Sequence, residues 1–94
     1  MSVTAVNPRF HPGRLMITSN AKDALPKAEV NAAIRRHLRG DWGDVCESDG
    51  QLNEDALRDG DRLLSVYHTA DGEKFWIITE SDRSATTILL PSDY

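Results

Sequence analysis

The sequence contains a single cysteine, Cys46, so no internal disulfide can form and a four-cysteine zinc site is excluded. That usage suits a reducing compartment, and the cytoplasm is the expected one. Long apolar runs are missing as well. The longest is Phe75 to Ile78, far short of the roughly 18 residues that a membrane span needs. The opening segment carries Pro8 and Pro12 without a continuous apolar stretch, so no secretory signal is read there. There is no glycine-rich phosphate loop and no His-Glu-x-x-His pattern. Basic residues are outnumbered 15 to 11, for a formal charge of -4. That balance opposes the counterion release behind most nucleic-acid binding, and direct contact with DNA or RNA is disfavoured.

What is present is the composition of one small globular domain. The chain has 94 residues, 39% of them hydrophobic and 28% charged, and a domain of this size buries only about 60–65% of its unfolded surface. Residues 1–13 mix polar side chains with Pro8, Pro12 and Gly13 and show no period, which reads as a flexible arm before a single domain over 14–94. Arg14 to Thr18 suits a short strand. Ser19 or Asn20 could cap a helical turn that ends before Pro26. Pro26 then fits the first position of a second helix, in which Val30, Ala33, Ile34 and Leu38 recur at helical spacing and Gly40 serves as the C-cap.

A loop holding Trp42 leads to a third helix, capped by Ser48 or Asp49 and closed by Gly60. The last third changes period. Arg62 to His68, Lys74 to Glu80 and Ser84 to Leu90 read as strands of an antiparallel meander, with Asp71-Gly72 as the first turn. The expected fold is α+β in a β-α-α-β-β-β order, with the helices on one face of a four-stranded, mainly antiparallel sheet. The pattern does not place the first strand. Alternation puts Phe75 and Ile77 on one face of the middle strand and Trp76 and Ile78 on the other. Helices on one side cannot cover both, and the surplus apolar surface points to a partner or to self-association as a homodimer.

The string His37, Gly40-Asp41-Trp42-Gly43, Asn53, Ala56-Leu57, Gly60, Ser65, Tyr67 and Trp76 through Pro91 to Tyr94 resembles a family of small bacterial proteins often labelled plasmid-related, encoded on conjugative plasmids and integrated elements. The likeness covers most of 14–94 and is most specific from Trp76 to Tyr94. It implies a mobile-element setting, where small proteins serve transfer, maintenance or counter-defence, and carries no catalytic residue. Cys46 does not belong to that pattern.

The turn Glu80-Ser81-Asp82-Arg83-Ser84 reads either as a polar recognition loop or as a self-bonded turn, with Asp82 and Ser84 holding the backbone and Arg83 pairing with Glu80. Trp42 is expected in the core and Trp76 in a partly exposed patch. The partner-binding candidates are Trp76, Glu80, Asp82, Arg83 and Tyr67. Arg35, Arg36 and Arg39 on the second helix are the nucleic-acid alternative. His37, Asp41, Asp44, Cys46 and Glu80 fit no metal spacing, and no cofactor is expected.

The favoured expectation is a non-enzymatic protein-binding module, an inhibitor of a host defence complex of the CRISPR or restriction kind, its acidity suiting a basic channel. Two alternatives stand beside it. One is a small nuclease or toxin using His37, Glu80 and Arg83. The other is a nucleic-acid-binding regulator of plasmid maintenance.

Overall fold

A computed structural model describes residues 7–94. The elements run β1 (Arg14–Ile17), α1 (Ser19–Ala24), α2 (Lys27–Leu38), α3 (Glu47–Asp59), β2 (Leu63–His68), β3 (Lys74–Thr79), β4 (Ala85–Leu89) and a 3-10 turn over Pro91–Asp93. The expected α+β class holds. The sheet order is β1-β4-β3-β2, with β2, β3 and β4 forming the antiparallel meander and β1 lying parallel to β4. The undetermined first strand thus occupies an edge beside the last one.

Local chemistry sets the helix ends, in places one residue away from the expected positions. Thr18 caps α1 in place of Ser19 or Asn20: it is the last extended residue after β1, and its hydroxyl accepts from the Ala21 amide at 3.1 Å. Pro26 is the N-cap of α2, its carbonyl accepting the first helical bonds from Glu29 and Val30. At the other end of α2, the Gly40 amide bonds the His37 carbonyl and the Asp41 amide bonds the Arg36 carbonyl. This double closure needs the left-handed φ of 82° at Gly40. Cys46, not Ser48 or Asp49, is the N-cap of α3, which leaves Glu47 and Asp49 in the first turn where the helix dipole favours acids.

Alternation along the strands divides the sheet as the sequence suggests. Phe75, Ile77, Tyr67, Ile88 and, partly, Leu15 and Ile17 pack under Val30, Ala33, Ile34 and Leu38 of α2. A smaller cluster of Trp42, Ala56 and Leu63 seats α3 beside β2. Phe10 packs against both clusters. The region expected as a free arm therefore makes defined contacts from Arg9 onward. The Arg9 amide bonds the Leu38 carbonyl at 2.8 Å, its guanidinium grips Glu54 through two bonds, and the Pro12 carbonyl accepts from Thr86. The correction has a simple cause: Phe10 is a buried-type side chain whose weight a composition reading of residues 1–13 hides. The rest of that arm, residues 1–6, lies outside the described residues.

The two sheet edges are treated differently. Along β2, the Val66 amide bonds the Trp42 carbonyl, the Asp44 amide bonds the Val66 carbonyl, and Asn53 answers both backbone groups of Leu64, donating to its carbonyl at 2.7 Å and accepting from its amide at 3.1 Å. A side chain and a short segment thus imitate a fifth strand. Gly43 is required there, because a Cβ would stand 2.0 Å from the Val66 carbonyl oxygen. Among the described residues, β1 bonds only β4 and its outer edge is open.

Candidate functional site

The sheet face turned away from the helices carries Met16, Leu64, Val66, Trp76, Ile78, Thr87 and Leu89. These are the alternate residues to those in the core. Ile78 and Leu89 are sealed by their neighbours, but Met16 and Leu64 are exposed and Val66 and Trp76 are half-buried. The chain then turns through Pro91–Asp93, pinned because the Asp93 carboxylate accepts from the Thr18 hydroxyl at 2.6 Å, the Asn20 amide at 2.8 Å and the Leu90 backbone. Those donors, the Thr18 hydroxyl first, hold the Asp93 carboxyl below its usual range. The turn delivers Tyr94 edge-on to Trp76, with ring centroids 5.6 Å apart, while Arg62 donates to the Tyr94 hydroxyl at 2.8 Å. Two aromatics, aliphatic neighbours and a guanidinium so form one surface patch, of the composition that dominates protein interfaces.

The structure separates the expected partner-binding residues. Trp76 lies on the open face as anticipated, and Glu80 stands at its rim, 3.7 Å from Arg62. Tyr67 is on the opposite, helix-covered face: 2% exposed, its hydroxyl donating to the Asp41 carbonyl at 2.6 Å beneath the Arg36 guanidinium. Burial pushes its phenol pKa up. It cannot meet a partner.

Arg83 is also committed internally. Its guanidinium donates to the carbonyls of Ala56 and Asp61 at the end of α3 and to those of Glu80 and Ser81 in its own turn. It adds a charged donor at a helix C-terminus, the end a cation prefers, where the Ala56 carbonyl already accepts from the Gly60 and Asp61 amides, and it does so from a left-handed backbone, φ 61°. The anticipated Arg83–Glu80 ion pair gives way to these bonds. Asp82 is exposed and accepts from the Ser84 amide, as a self-bonded turn requires. The turn is a clasp on α3.

His37 is fully buried between α2 and the sheet. Its Nδ1 lies 2.6 Å from the Ser65 hydroxyl and its Nε2 2.8 Å from that of Thr79, which lies 2.7 Å from the Thr86 hydroxyl, and Thr86 in turn donates to the Pro12 carbonyl at 2.7 Å. A carbonyl only accepts, so every proton in the chain points toward Pro12. Ser65 donates to a bare Nδ1, and Nε2–H donates to Thr79. Burial, and secondarily the charge of Arg83, lowers the His37 pKa to about 3. A serine on a histidine invites comparison with an activated nucleophile, but Ser65 and His37 are both sealed from solvent. The expected trio of His37, Glu80 and Arg83 does not assemble: His37 is buried, Glu80 is at the rim and Arg83 caps a helix. Among the described residues no group of three or more His, Cys, Asp or Glu side chains could hold a metal ion.

Of the arginines on α2, Arg36 pairs through two bonds with Asp41, while Arg35 and Arg39 are exposed. The residues that sequence reasoning missed are Leu64 and Val66, along with Leu52 of α3, whose helical spacing reads as inward but which is 64% exposed. The strand period placed Leu64 and Val66 beside Trp76, but their exposure depends on where α3 sits. No family model, curated protein or solved structure matches the chain.

Proposed function

We propose that this chain is a non-enzymatic protein-binding domain that acts through the open face of its sheet, and that it serves a mobile genetic element by inhibiting a host defence complex. The observation carrying the binding role is the uncovered patch of Leu64, Val66, Trp76 and Tyr94 on a sheet whose opposite face already has its helices. Such a surface costs solubility unless something covers it. The buried state of His37 and Ser65 and the internal use of Arg83 support a non-catalytic role. The resemblance of the Trp76–Tyr94 block supplies the mobile-element setting, and the charge of -4 suits a basic target.

The test is expression of the protein in hosts carrying an active CRISPR or restriction system, scored by transformation with a targeted plasmid. The wild type is expected to raise transformation, and the folded variants Leu64→Asp and Tyr94→Ala to lose that effect. Protection that survives both variants would remove the open face from the function, and no protection in either host would remove the inhibitor role.

A further inference from the structure

We infer that the open face takes a cationic amphipathic segment of its protein partner, whose apolar side chains seat along Leu52, Leu64 and Trp76 and whose lysine or arginine meets Asp44 and Asp49. This rests on the open-face reading above and adds the chemistry of the occupant. Two recesses carry it. One, of about 390 Å³, lies between α3 and β2, with Val45, Leu52, Leu64 and Val66 below the carboxylates of Asp44 and Asp49. The other, of about 230 Å³, lies between Arg62, Leu64, Trp76, Ile78 and Tyr94. They share Arg62 and Leu64, so they form one track across the covered edge of the sheet. Of the four large apolar side chains left exposed among the described residues, Leu52 at 64%, Leu64 at 38% and Tyr94 at 71% all line it, and Met16 lies elsewhere.

The charges along the track set the sign of the occupant. Arg62, the cation lining both recesses, is already engaged by Glu80 and the Tyr94 hydroxyl. At the α3 end Asp49 has no cation within ion-pair distance among the described residues, and Asp44 has only His68 at 3.6 Å. Glu47 lies in the same first turn of α3 as Asp49. An apolar track ending in carboxylates that no lysine or arginine of the described residues pairs favours a segment with two or three apolar anchors on one side and a basic residue at one end, the pattern of a helix laid in a groove. It repels nucleic-acid phosphates and acidic segments alike. The negative charge of the whole domain adds to the encounter rate with such a partner.

The probes are two synthetic amphipathic peptides, one built of leucine and lysine and the other with glutamate at every lysine position, titrated against the whole chain by calorimetry and amide shift mapping. The lysine peptide is expected to bind at least about tenfold tighter, the combined worth of two partly exposed ion pairs. Its shifts should fall on Leu52, Leu64 and Trp76. Asp44→Lys with Asp49→Lys should reverse the preference, and Leu64→Asp should weaken both peptides. Because Asp44, Asp49 and Leu64 are exposed, these variants are expected to fold, Asp49→Lys with a lowered melting temperature because its charge opposes the α3 dipole, which a melting curve checks. Equal affinity for the two peptides, with shifts still on the track, would overturn the cationic occupant and leave the open-face reading standing. Shifts elsewhere would sink both. A chain that dimerises through the track in sedimentation, with Leu64→Asp returning it to monomer, would replace the cationic segment with a second copy.

Discussion

Acidification should unfold this protein through His37 before its carboxylates become involved. The folded imidazole has its pKa lowered to about 3, against 6.5 for an ordinary histidine. The unfolded chain therefore binds a proton that the folded chain refuses, and stability is complete above the unfolded pKa and lost as pH falls. Between pH 7.5 and 5 the folded ring stays neutral, so the loss is set by protonation of the unfolded one and amounts to about 2 kcal/mol. For a domain of this size that lowers the melting temperature by roughly 8–16 °C. The carboxyls of Asp41, Glu54, Asp82 and Asp93, whose pKa values are lowered by their partners, act in the same direction but mainly below about pH 5. Urea unfolding followed at both pH values measures the effect, and His37→Gln, which cannot titrate, should remove most of the slope. Nitrogen NMR of the wild type gives an independent reading, with Nε2 protonated and Nδ1 bare down to pH 5. A stability that is flat over this window, or an imidazole that charges within it, would refute both the burial argument and the proton order from Ser65 to Pro12.

Arg83→Ala should cost about 2 kcal/mol in urea unfolding, since it strips a charged donor from carbonyls at the end of α3; a loss below about 0.5 kcal/mol would show that water replaces it freely. Asn53→Ala should cost about 1–2 kcal/mol by the same assay and speed amide exchange at Leu64, whose backbone partners it removes. Random duplex DNA should bind no tighter than about 10⁻⁴ M at physiological salt. A submicromolar constant with a steep salt slope, abolished by Arg35→Ala and Arg39→Ala, would instead favour the arginine face of α2.

Most of the fold was legible because its signals are local. Val30, Ala33, Ile34 and Leu38 mark α2 by period, Asp71-Gly72 marks a hairpin by turn chemistry, and Gly60 ends α3 in the left-handed conformation, φ 77°. What stayed hidden depends on long-range partners. The four residues of β1 carry no sign that they will lie parallel to β4. Arg83 looks like a surface charge until α3 brings the Ala56 carbonyl within 3.0 Å. Tyr67 and Trp76 looked equivalent as aromatics of a sheet, yet strand alternation puts them on opposite faces, and only the position of α2 decides which is buried. Phe10 was lost inside a segment judged by its prolines. For the candidate site the sequence showed Trp76 but not the track, because Leu52 and Leu64 come together only when α3 docks against β2.

The unequal edges of the sheet bear on how the protein behaves when concentrated. Strand-by-strand aggregation needs a monomer that can be extended at both ends, as a polymer needs a bifunctional unit. Among the described residues, β2 is filled by the Trp42–Asp44 segment and by Asn53, and β1 is the one edge that offers unpaired backbone. The domain is monofunctional. Two copies joined β1 to β1 would expose only their filled β2 edges, so growth by this route terminates at the pair. The Asn53 side chain is in this sense a chain stopper, and its removal would take the domain a step toward a unit that can propagate.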